Sequence, residues 1–429
     1  MLDRLFALET IGIKLGLDNI SRLCAALGHP ERSFTAIHVA GTNGKGSVTA
    51  MVHAALVSGG VKAARYISPH LVDINERFVI GMNPVETAAL EDATGHVLAC
   101  AERLQASGIL TVTPTFFEVT TAIAFELFRR ADVEVAVIEV GLGGRFDATN
   151  VLTPPIGAIT SIGLDHQQYL GGTIAAIARE KAGIIKPGMT IILGAMPDDA
   201  VQTIREVADE RGARIVIAAQ DATIDASMAD GRATLTIDTA AGRYGPLRLA
   251  LRGEHQVSNA LVALRILEAA RAAGIAVSAE AMAHGLSEVA WPARLELVPV
   301  GEQRLLIDAA HNIDGARALA AYLARWHPDR PALVIGMMND KDVDGILGAL
   351  LPVTSAVFAT EAPTPRALPA ADIGARIAAV DPARTVHVEP DPWTAVAQAL
   401  TDAETVCVAG SIFLAGAVRD ALKARAILR

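Results

Sequence analysis

Residues 41–47 read Gly-Thr-Asn-Gly-Lys-Gly-Ser, a combination that can bind phosphate. Glycines let the backbone approach a ligand closely, and a loop that opens a helix can donate N–H groups to phosphate oxygens. Lys45 adds a positive charge for the terminal phosphates, and Ser47 adds a hydroxyl for Mg²⁺. The common G-x-x-x-x-G-K-[ST] spelling fails, because Val39 stands where its first glycine is expected. A Gly-rich turn alone is more often only a tight turn, so the lysine and serine strengthen the prediction of nucleotide binding.

Short apolar runs must position this loop and two further polar loops. The runs are TAIHVAG before the phosphate loop, VEVAVIEVG at 133–141 and PIGAITSIG at 155–163. Each is followed by a loop and a helix-like segment, which is typical of a mostly parallel sheet covered on both faces. Ligands bind at the carboxyl ends of such strands. We therefore predict that residues 41–47, 139–150 and 165–166 converge on one edge.

The length of 429 residues predicts two domains, because single hydrophobic cores stop growing at about 250–300 residues. Between about 213 and 250, RIVIAAQ, ATLTIDT and RYGPLRLAL predict a small antiparallel insertion. Beyond Trp291 and Pro292, further strand-like runs are RLLIDAAHN, ALVIGMMNDKD, SAVFATE and TVCVAGS. We predict an α/β chain, with an N-terminal P-loop ATPase domain over 1–290 and a smaller C-terminal Rossmann-like α/β domain over 291–429.

Composition excludes several classes of protein. The formal net charge is −10, with 37 basic against 47 acidic residues, which disfavours nucleic-acid binding. We find no apolar run near the roughly 18–20 residues of a membrane span and no secretory signal pattern, so we expect a cytoplasmic protein without membrane partners. Cys24, Cys100 and Cys407 lie far apart and predict neither a disulfide framework nor a zinc site.

Further motifs extend along nearly the whole chain and point to one family. They are ISPHLVDINERF, PTFFEVTTAIAFELF, EVGLGGRFDATN, LDHQQYLG, REKAGI, GEHQVSNA, WPAR, DAAHN, NDKD and AGSIFLAG. Together with GTNGKGS, these ordered motifs closely resemble the Mur-ligase superfamily and, more narrowly, its folylpolyglutamate synthase and dihydrofolate synthase family.

The resemblance implies an ATP-dependent ligase that joins L-glutamate to dihydropteroate, and to reduced folates, through an acyl phosphate. It also implies Mg²⁺, with two ions expected, and a monomer. A Mur ligase for cell-wall peptides is a rival, although such enzymes usually carry an extra domain before the phosphate loop, where only about forty residues stand here. An ATP-hydrolysing binding protein without ligase activity is a second alternative. A simple kinase has no obvious use for DAAHN and NDKD.

Site residues follow from the motifs that match. For ATP they are Gly41, Thr42, Asn43, Gly44, Lys45, Gly46 and Ser47 in the loop, and Asn259, Arg294, Asp308 and His311 for base, phosphate and ribose. For metal they are Ser47, Ser68, Glu139 and His166. The predicted catalytic residues are Lys45, His166 and Lys181, the last resembling a lysine that family members carry as a carbamate.

Three of these residues have ordinary structural alternatives. Glu139 could cap a helix or pair with Arg145, and His166 could be a hydrogen-bonded structural residue, since Mg²⁺ prefers oxygen ligands to imidazole. Residue types alone favour an exposed Lys181 that pairs with Glu180. A carbamate would instead need a neutral lysine, which burial favours.

The folate-binding segments implied by the resemblance combine apolar and aromatic side chains with a carboxylate, which suits a flat bicycle with N–H groups. They are Ile13, Lys14, Leu15, Thr115, Phe116, Phe117, Glu118, Phe146, Asp147 and Ala148. Phe116 and Phe117 could equally be helix-core residues. Lys14 departs from an acidic residue of some bifunctional members, and Ala309 replaces a glycine that is usual in the family.

Overall fold

The computed structural model describes residues 1–12 and 14–428. The chain forms two compact units. The first contains Met1–Asp225, Leu235–Leu247 and Ser258–Val289, and the second contains Ala226–Thr234, Arg248–Val257 and Ala290–Arg429.

The helices and strands are as follows. The strands are β1 Thr35–Ala40, β2 Ala63–Tyr66, β3 Phe78–Ile80, β4 Asn83–Pro84, β5 Val135–Glu139, β6 Ile156–Ile159, β7 Thr190–Leu193, β8 Arg214–Ile217, β9 Ala222–Ala229, β10 Arg232–Thr239, β11 Gly242–Arg252, β12 Glu296–Val300, β13 Gln303–Ile307, β14 Ala332–Ile335, β15 Val357–Ala359, β16 Val386–Val388 and β17 Thr405–Ala409. The α-helices are α1 Leu2–Phe6, α2 Asp18–Ala26, α3 Lys45–Ser58, α4 Thr87–Ala106, α5 Phe116–Arg130, α6 Gln167–Leu170, α7 Ile174–Ala182, α8 Asp198–Glu210, α9 His255–Ala272, α10 Ala279–Glu288, α11 Ile313–Trp326, α12 Val343–Leu350, α13 Ala370–Val380, α14 Pro392–Asp402 and α15 Ile412–Ala424. Short 3₁₀ helices are Ala7–Ile11, Pro30–Arg32, Ile74–Arg77, Ala148–Val151 and Leu351–Val353.

The first unit is built on an eight-stranded sheet of order β4-β3-β2-β5-β1-β6-β7-β8. The strands from β2 to β8 in this order run parallel, and β3 and β4 add an antiparallel edge. Every residue of β5 is buried, as expected for a strand covered on both faces. Two apolar clusters line one face of this sheet: one packs against α4 and α5 around Phe125 and Phe128, and the other packs around Ile177 of α7 and Ile204 of α8. The prediction of a mostly parallel sheet is confirmed.

Helix α3 follows the phosphate loop and is buried on most of its surface. It packs against α10 so closely that a Cβ atom at Gly285 would lie 2.4 Å from the backbone nitrogen of Ala55. The side chain at 285 must therefore be hydrogen, because no larger group fits between the helices. This contact fixes the helix whose first turn faces the phosphate loop.

The second unit contains a six-stranded sheet of order β12-β13-β17-β14-β15-β16. Only β12 is antiparallel to its neighbour within this described sheet. The four strands that the sequence indicated are β13, β14, β15 and β17, and the smaller α/β architecture is confirmed. Strand β16 was missed because it is a half-exposed edge strand of three residues.

The small sheet of order β11-β10-β9 differs in part from the prediction. RIVIAAQ does not belong to it, because Arg214–Ile217 pairs in parallel with β7 as the last strand of the large sheet. Its partial exposure, as an edge strand, produced the misleading alternation. The remaining strand of the small sheet is Ala222–Ala229, which lies before the segment ATLTIDT. No helix in the described chain is long and apolar enough to cross a membrane.

Candidate active site

The phosphate loop lies between β1 and α3 at the carboxyl edge of the large sheet. Gly44 caps α3 with φ 86°, a left-handed conformation that glycine adopts without strain. Lys45 begins the helix, so the N–H groups of its first turn face the loop. Because β1 lies between β5 and β6, the loops that follow these three parallel strands emerge at the same edge. The arrangement suits an anion.

Two lysines meet at the carbonyl oxygen of Gly41. Lys45 Nζ donates to the carbonyls of Gly41 at 3.0 Å and Thr42 at 3.2 Å, and Lys181 Nζ donates to that of Gly41 at 2.9 Å. Burial, assisted by the charge of Lys45, lowers the pKa of Lys181 to about 7. Lys181 is 5% exposed, so the alternative of an exposed lysine that pairs with Glu180 is wrong. The structure thus gives this amine a large neutral fraction at neutral pH.

The loop after β6 holds the phosphate loop in shape through hydroxyl groups. Asn43 O accepts from Thr160 Oγ1 at 2.6 Å and from Ser161 Oγ at 3.0 Å. The backbone N–H groups of Thr42 and Asn43 donate to the carbonyl and side-chain oxygens of Ser161 at 2.8 and 3.0 Å. Thr42 Oγ1 accepts from the Gly163 N–H at 3.0 Å. Sequence reasoning missed these residues, although the signal was the hydroxyl pair in TSIG.

We expect Gly41→Ala to lower kcat/KM for ATP by at least about tenfold, because the new Cβ would lie 2.0 Å from Thr160 Oγ1 and the residue has φ 149°. Steady-state kinetics with varied ATP measure the effect. Gly108→Ala is the matched control: φ is 73° there, and no heavy atom lies within 4 Å of the added Cβ. This control shares the backbone strain without crowding the loop. Equal ATP kinetics in both variants would contradict the expectation.

The predicted metal ligands Ser47, Ser68 and Glu139 come from three neighbouring segments at the same edge. Ser47 lies in the first turn of α3, Glu139 ends β5, and Ser68 follows β2, the strand paired with β5. Ser68 Oγ is buried without a hydrogen-bond partner among residues 1–12 and 14–428. Glu139 is 6% exposed, and its charge opposes the lowering of the pKa of Arg65 by burial. Arg145 instead lies over the ring of Phe146.

His166 and its neighbour lie farther along the loop after β6. The His166 side chain is 35% exposed, with Nε2 at 3.9 Å from Asp165 Oδ1. No group of three His, Cys, Asp or Glu side chains in the described part of the chain forms a metal cluster. The donor set therefore fits a Mg²⁺ ion held largely by phosphate oxygens and water, with a few protein oxygens, as is usual for nucleotide-bound magnesium.

Asn259 lies at the phosphate loop. A Cβ atom on Gly44 would lie 2.4 Å from Asn259 Oδ1, so this amide packs directly on the residue that caps α3. Of the residues predicted to contact the nucleotide, Asn259 on α9 therefore lies beside the phosphate loop.

The folate-side residues divide between a helix start and a loop. Thr115 and Glu118 form a capping box at α5: Thr115 Oγ1 accepts from the Glu118 N–H at 3.2 Å, and Glu118 Oε2 accepts from the Thr115 N–H at 2.7 Å. Phe117 packs on Gly141 and stacks on Tyr66 with ring centroids 6.1 Å apart. Phe116 is half-buried beneath the guanidinium of Arg77. Both rings therefore have structural contacts.

The loop before Ala148–Val151 presents Phe146, which is 38% exposed, beside buried Asp147 and Ala148. Lys14 and Leu15 are exposed and lie outside helices and strands. Ile13 lies outside the described residues. The role of these segments in folate binding stays a prediction.

In the second unit, Arg294, Asp308 and His311 lie around the start of β12 and the end of β13. Asp308 accepts the N–H groups of Leu295 at 2.8 Å and Ala310 at 2.9 Å. Burial raises the pKa of Asp308, and the positive charge of Arg294 opposes this. His311 Nδ1 lies 2.9 Å from Ala309 O, so this nitrogen donates.

The backbone around Arg294 is strained. Ala293 and Leu295 have φ of 53° and 47°, values that residues other than glycine seldom adopt and that often occur at functional sites. Sequence reasoning missed this feature of WPAR. Ala309 is buried, and its N–H donates to Ala293 O at 3.0 Å. Its φ is not among the positive values of the described residues, so the conformation does not require the family's glycine.

Comparisons with known proteins agree with this geometry. Residues 85–267 match the Mur ligase middle domain, and residues 293–412 match the Mur ligase glutamate ligase domain. The folylpolyglutamate synthase of Lacticaseibacillus casei is 35% identical over 411 residues, covering 94% of this chain and 93% of that protein. The dihydrofolate synthase/folylpolyglutamate synthase of Mycobacterium tuberculosis is 40% identical over 369 residues, covering 82% and 75%.

Solved structures give the same result. A Mycobacterium tuberculosis folylpolyglutamate synthase complexed with ADP and AMPPCP has a TM-score of 0.91 at 34% identity and covers 98% of this chain and 97% of its own. The Escherichia coli FolC complex with DHPP and ADP has a TM-score of 0.87 at 30% identity, covering 99% and 98%. The chain therefore belongs to the folylpolyglutamate synthase/dihydrofolate synthase family of ATP-dependent Mur ligases.

Proposed function

We propose that this chain joins L-glutamate to dihydropteroate, and further glutamates to tetrahydrofolates, at the expense of ATP. The observation that carries the proposal is the phosphate loop with Lys45 and Lys181, set beside Ser68 and Glu139 at one sheet edge, in a chain of this family. We further propose that it acts as a cytoplasmic monomer. We propose that residues 1–290 of this polypeptide bind ATP and the folate, and that residues 291–429 form the glutamate ligase domain.

The first chemical step activates a poor electrophile. The acceptor carboxylate attacks the γ-phosphorus of ATP, and the bond from this phosphorus to the β-phosphate oxygen breaks. ADP departs, and the acceptor becomes an acyl phosphate. Charge spreads over the phosphoryl oxygens in this step, so Lys45 and the N–H groups at the start of α3 stabilise it electrostatically. The hydroxyls of Thr160 and Ser161 keep these donors in place before the nucleotide arrives, which reduces the cost of ordering the loop.

The second step forms the amide. The glutamate amine attacks the acyl carbon, the tetrahedral intermediate expels phosphate, and the nitrogen loses a proton. We propose that Arg294, Asp308 and His311 of the second unit contact ATP, with the Arg294 guanidinium suited to two phosphate oxygens. The buried Asp308 carboxylate is already aligned by two backbone N–H groups. It can accept a ribose hydroxyl through a remaining lone pair.

We propose that Mg²⁺ is held by Ser47, Ser68, Glu139 and His166, two ions being expected. When bound, it neutralises phosphate charge and orients the transferring group. The Ser68 hydroxyl, which has no hydrogen-bond partner among the described residues, and the buried Glu139 carboxylate are oxygen ligands of the kind that Mg²⁺ prefers.

Incorporation of radiolabelled L-glutamate, with either dihydropteroate or a tetrahydrofolate as acceptor, tests the proposal. Label in a product from dihydropteroate establishes dihydrofolate synthase activity, and label from a tetrahydrofolate establishes polyglutamylation. ATP hydrolysis without labelled product from either acceptor would refute the proposed function and favour an ATPase with another role.

We expect Glu139→Gln to raise the Mg²⁺ concentration for half-maximal activity at least about tenfold, because the variant loses a buried anionic ligand. Titration of activity with Mg²⁺ at saturating ATP measures this. Glu134→Gln is the control, since Glu134 precedes the same strand and is exposed. The same half-maximal Mg²⁺ concentration in Glu139→Gln and wild type would remove Glu139 from the metal site.

A further inference from the structure

A buried polar chain connects the central strand of the large sheet to the folate-side loop. His38 on β1 is fully buried, and its Nε2 lies 2.8 Å from Thr149 Oγ1. The Thr149 hydroxyl in turn donates to Asp147 Oδ1. The mechanism above assigns no role to His38 or to Thr149.

The Asp147 carboxylate also accepts hydrogen bonds from the backbone of the loop. Its Oδ2 accepts from the Leu142 N–H at 2.8 Å, and its Oδ1 accepts from the Thr149 N–H at 3.0 Å. The Gly141 N–H also bonds to the carboxylate. One carboxylate therefore ties the beginning of the loop, just after Glu139, to its end at the 3₁₀ helix Ala148–Val151. The segment between these ties carries Phe146.

The positions of the protons on His38 and Thr149 follow from which atom donates in each hydrogen bond. The Thr149 hydroxyl has one proton, which is directed to Asp147, so His38 Nε2 must carry a proton and donate it to Thr149 Oγ1. His38 Nδ1 is then an acceptor, and it is buried without a partner in the part of the chain that the structure describes. Burial lowers the pKa of His38 to about 3, so the ring is neutral at physiological pH.

This arrangement is unfavourable for a purely structural strand residue. An aliphatic side chain in a strand covered on both faces avoids the cost of an unpartnered buried nitrogen. Within residues 1–12 and 14–428, the polar side-chain contact that offsets that cost is the bond to Thr149. The histidine thus orients the Thr149 hydroxyl toward Asp147, and Asp147 fixes the backbone of the loop.

We propose that His38 and Thr149 are positioning residues that act through Asp147 to hold the loop 140–148 in the shape that binds the pterin-containing acceptor, an inference that rests on the proposed function. Neither side chain lies in the phosphate loop, so their effect falls on the acceptor. The phosphate loop is held instead by the hydroxyls of Thr160 and Ser161 after β6.

Hydrogen exchange tests the positioning independently of the substrate. Thr149→Val keeps the side-chain shape and removes the hydroxyl, so we expect exchange within residues 141–149 to accelerate at least about tenfold, with residues 41–48 unchanged. Thr149→Ser keeps the hydroxyl and should retain wild-type protection. Unchanged protection in Thr149→Val, or equal loss in Thr149→Ser, would overturn the proposal.

Kinetics test its consequence for the acceptor. We expect Thr149→Val and His38→Leu to raise KM for dihydropteroate about tenfold, with KM for ATP within about twofold of wild type. His38→Gln can still donate to Thr149 and should recover most of the loss. Equal increases in both KM values would show a general structural effect and overturn the proposal. If wild type adds glutamate to neither acceptor, the proposed function fails, while hydrogen exchange still decides whether the network fixes the loop.

Discussion

Lys45→Ala is expected to lower kcat for ATP-dependent glutamate incorporation by about 10²–10³-fold. The ammonium group is the mobile cation of the phosphate loop, and in this structure it rests on the carbonyls of Gly41 and Thr42. Moving from these carbonyls to a phosphate requires only side-chain rotation, because the loop itself is already held. Removal of the Lys45 ammonium group leaves the backbone N–H groups in place, so ATP should still bind. Phosphoryl transfer, however, loses its nearest positive charge.

Single-turnover release of phosphate and equilibrium binding of ADP separate these two effects. The expected result is a large decrease in the rate of phosphoryl transfer with a smaller change in ADP affinity. Lys62→Ala is the matched control, since Lys62 is an exposed lysine that follows the same helix α3. A kcat within about threefold of wild type in Lys45→Ala would refute the assigned role, as would an equal decrease in the control.

The parts of the site that sequence predicts are those encoded by local residue types. TAIHVAG followed by GTNGKGS specifies a strand, a loop and a helix, because apolar runs, glycines and a helix start are all local signals. Apolar runs that alternate with helix-like segments predict that β1, β5 and β6 lie in one mostly parallel sheet, whereas their order and the strand β2 come from the structure. Once this order is known, the convergence of the phosphate loop with Glu139 and Ser68 is a geometric consequence.

The parts that sequence could not predict depend on contacts between distant segments. The hydroxyls of Thr160 and Ser161 bond to a loop about 117 residues earlier, and the hydroxyl pair in TSIG does not by itself identify that distant partner. His38 looks like one polar residue in an apolar strand until its contact with Thr149 is seen. RIVIAAQ was misassigned because a short edge strand is exposed enough to imitate the alternation of an antiparallel strand.

Lys181→Met is expected to lower kcat at least about 100-fold, because it removes the amine that the family resemblance predicts to be a carbamate. The structure favours this chemistry in one respect: burial lowers the pKa of Lys181 to about 7, so the neutral amine that attacks CO₂ is abundant at neutral pH. The neutral amine nitrogen bonds to the carbon of CO₂ and releases one proton; counted from the ammonium form, two protons leave in all, so a cation beside the phosphate loop becomes an anion. The charge at this position therefore changes by two.

Two measurements decide whether the lysine acts in this way. Wild type depleted of CO₂ should lose activity and recover it when CO₂ is restored; at fixed dissolved CO₂ the recovery rate should rise with pH through about 7, as the amine loses its proton. The native mass should increase by one CO₂, and Lys181→Met should show neither effect. Activity that is indifferent to CO₂, with no change in mass, would make Lys181 an unmodified structural lysine.

Stability supplies a test of the buried amine itself. In CO₂-depleted buffer, wild type carries the cost of a buried cation below pH 7, where Lys181 is protonated in both the folded and the unfolded chain. Between pH 7 and its ordinary pKa of 10.5, the unfolded chain binds a proton that the folded chain has lost, so wild-type stability rises with pH. At pH 6, Lys181→Met should therefore unfold at a higher denaturant concentration than wild type, with a free energy of unfolding larger by a few kcal/mol. This difference in stability should diminish as the pH increases toward 10.5. If this difference in free energy of unfolding does not vary with pH, the pKa of Lys181 is not lowered by burial. The neutral amine would then be scarce at neutral pH, and the argument for carbamate formation would fail.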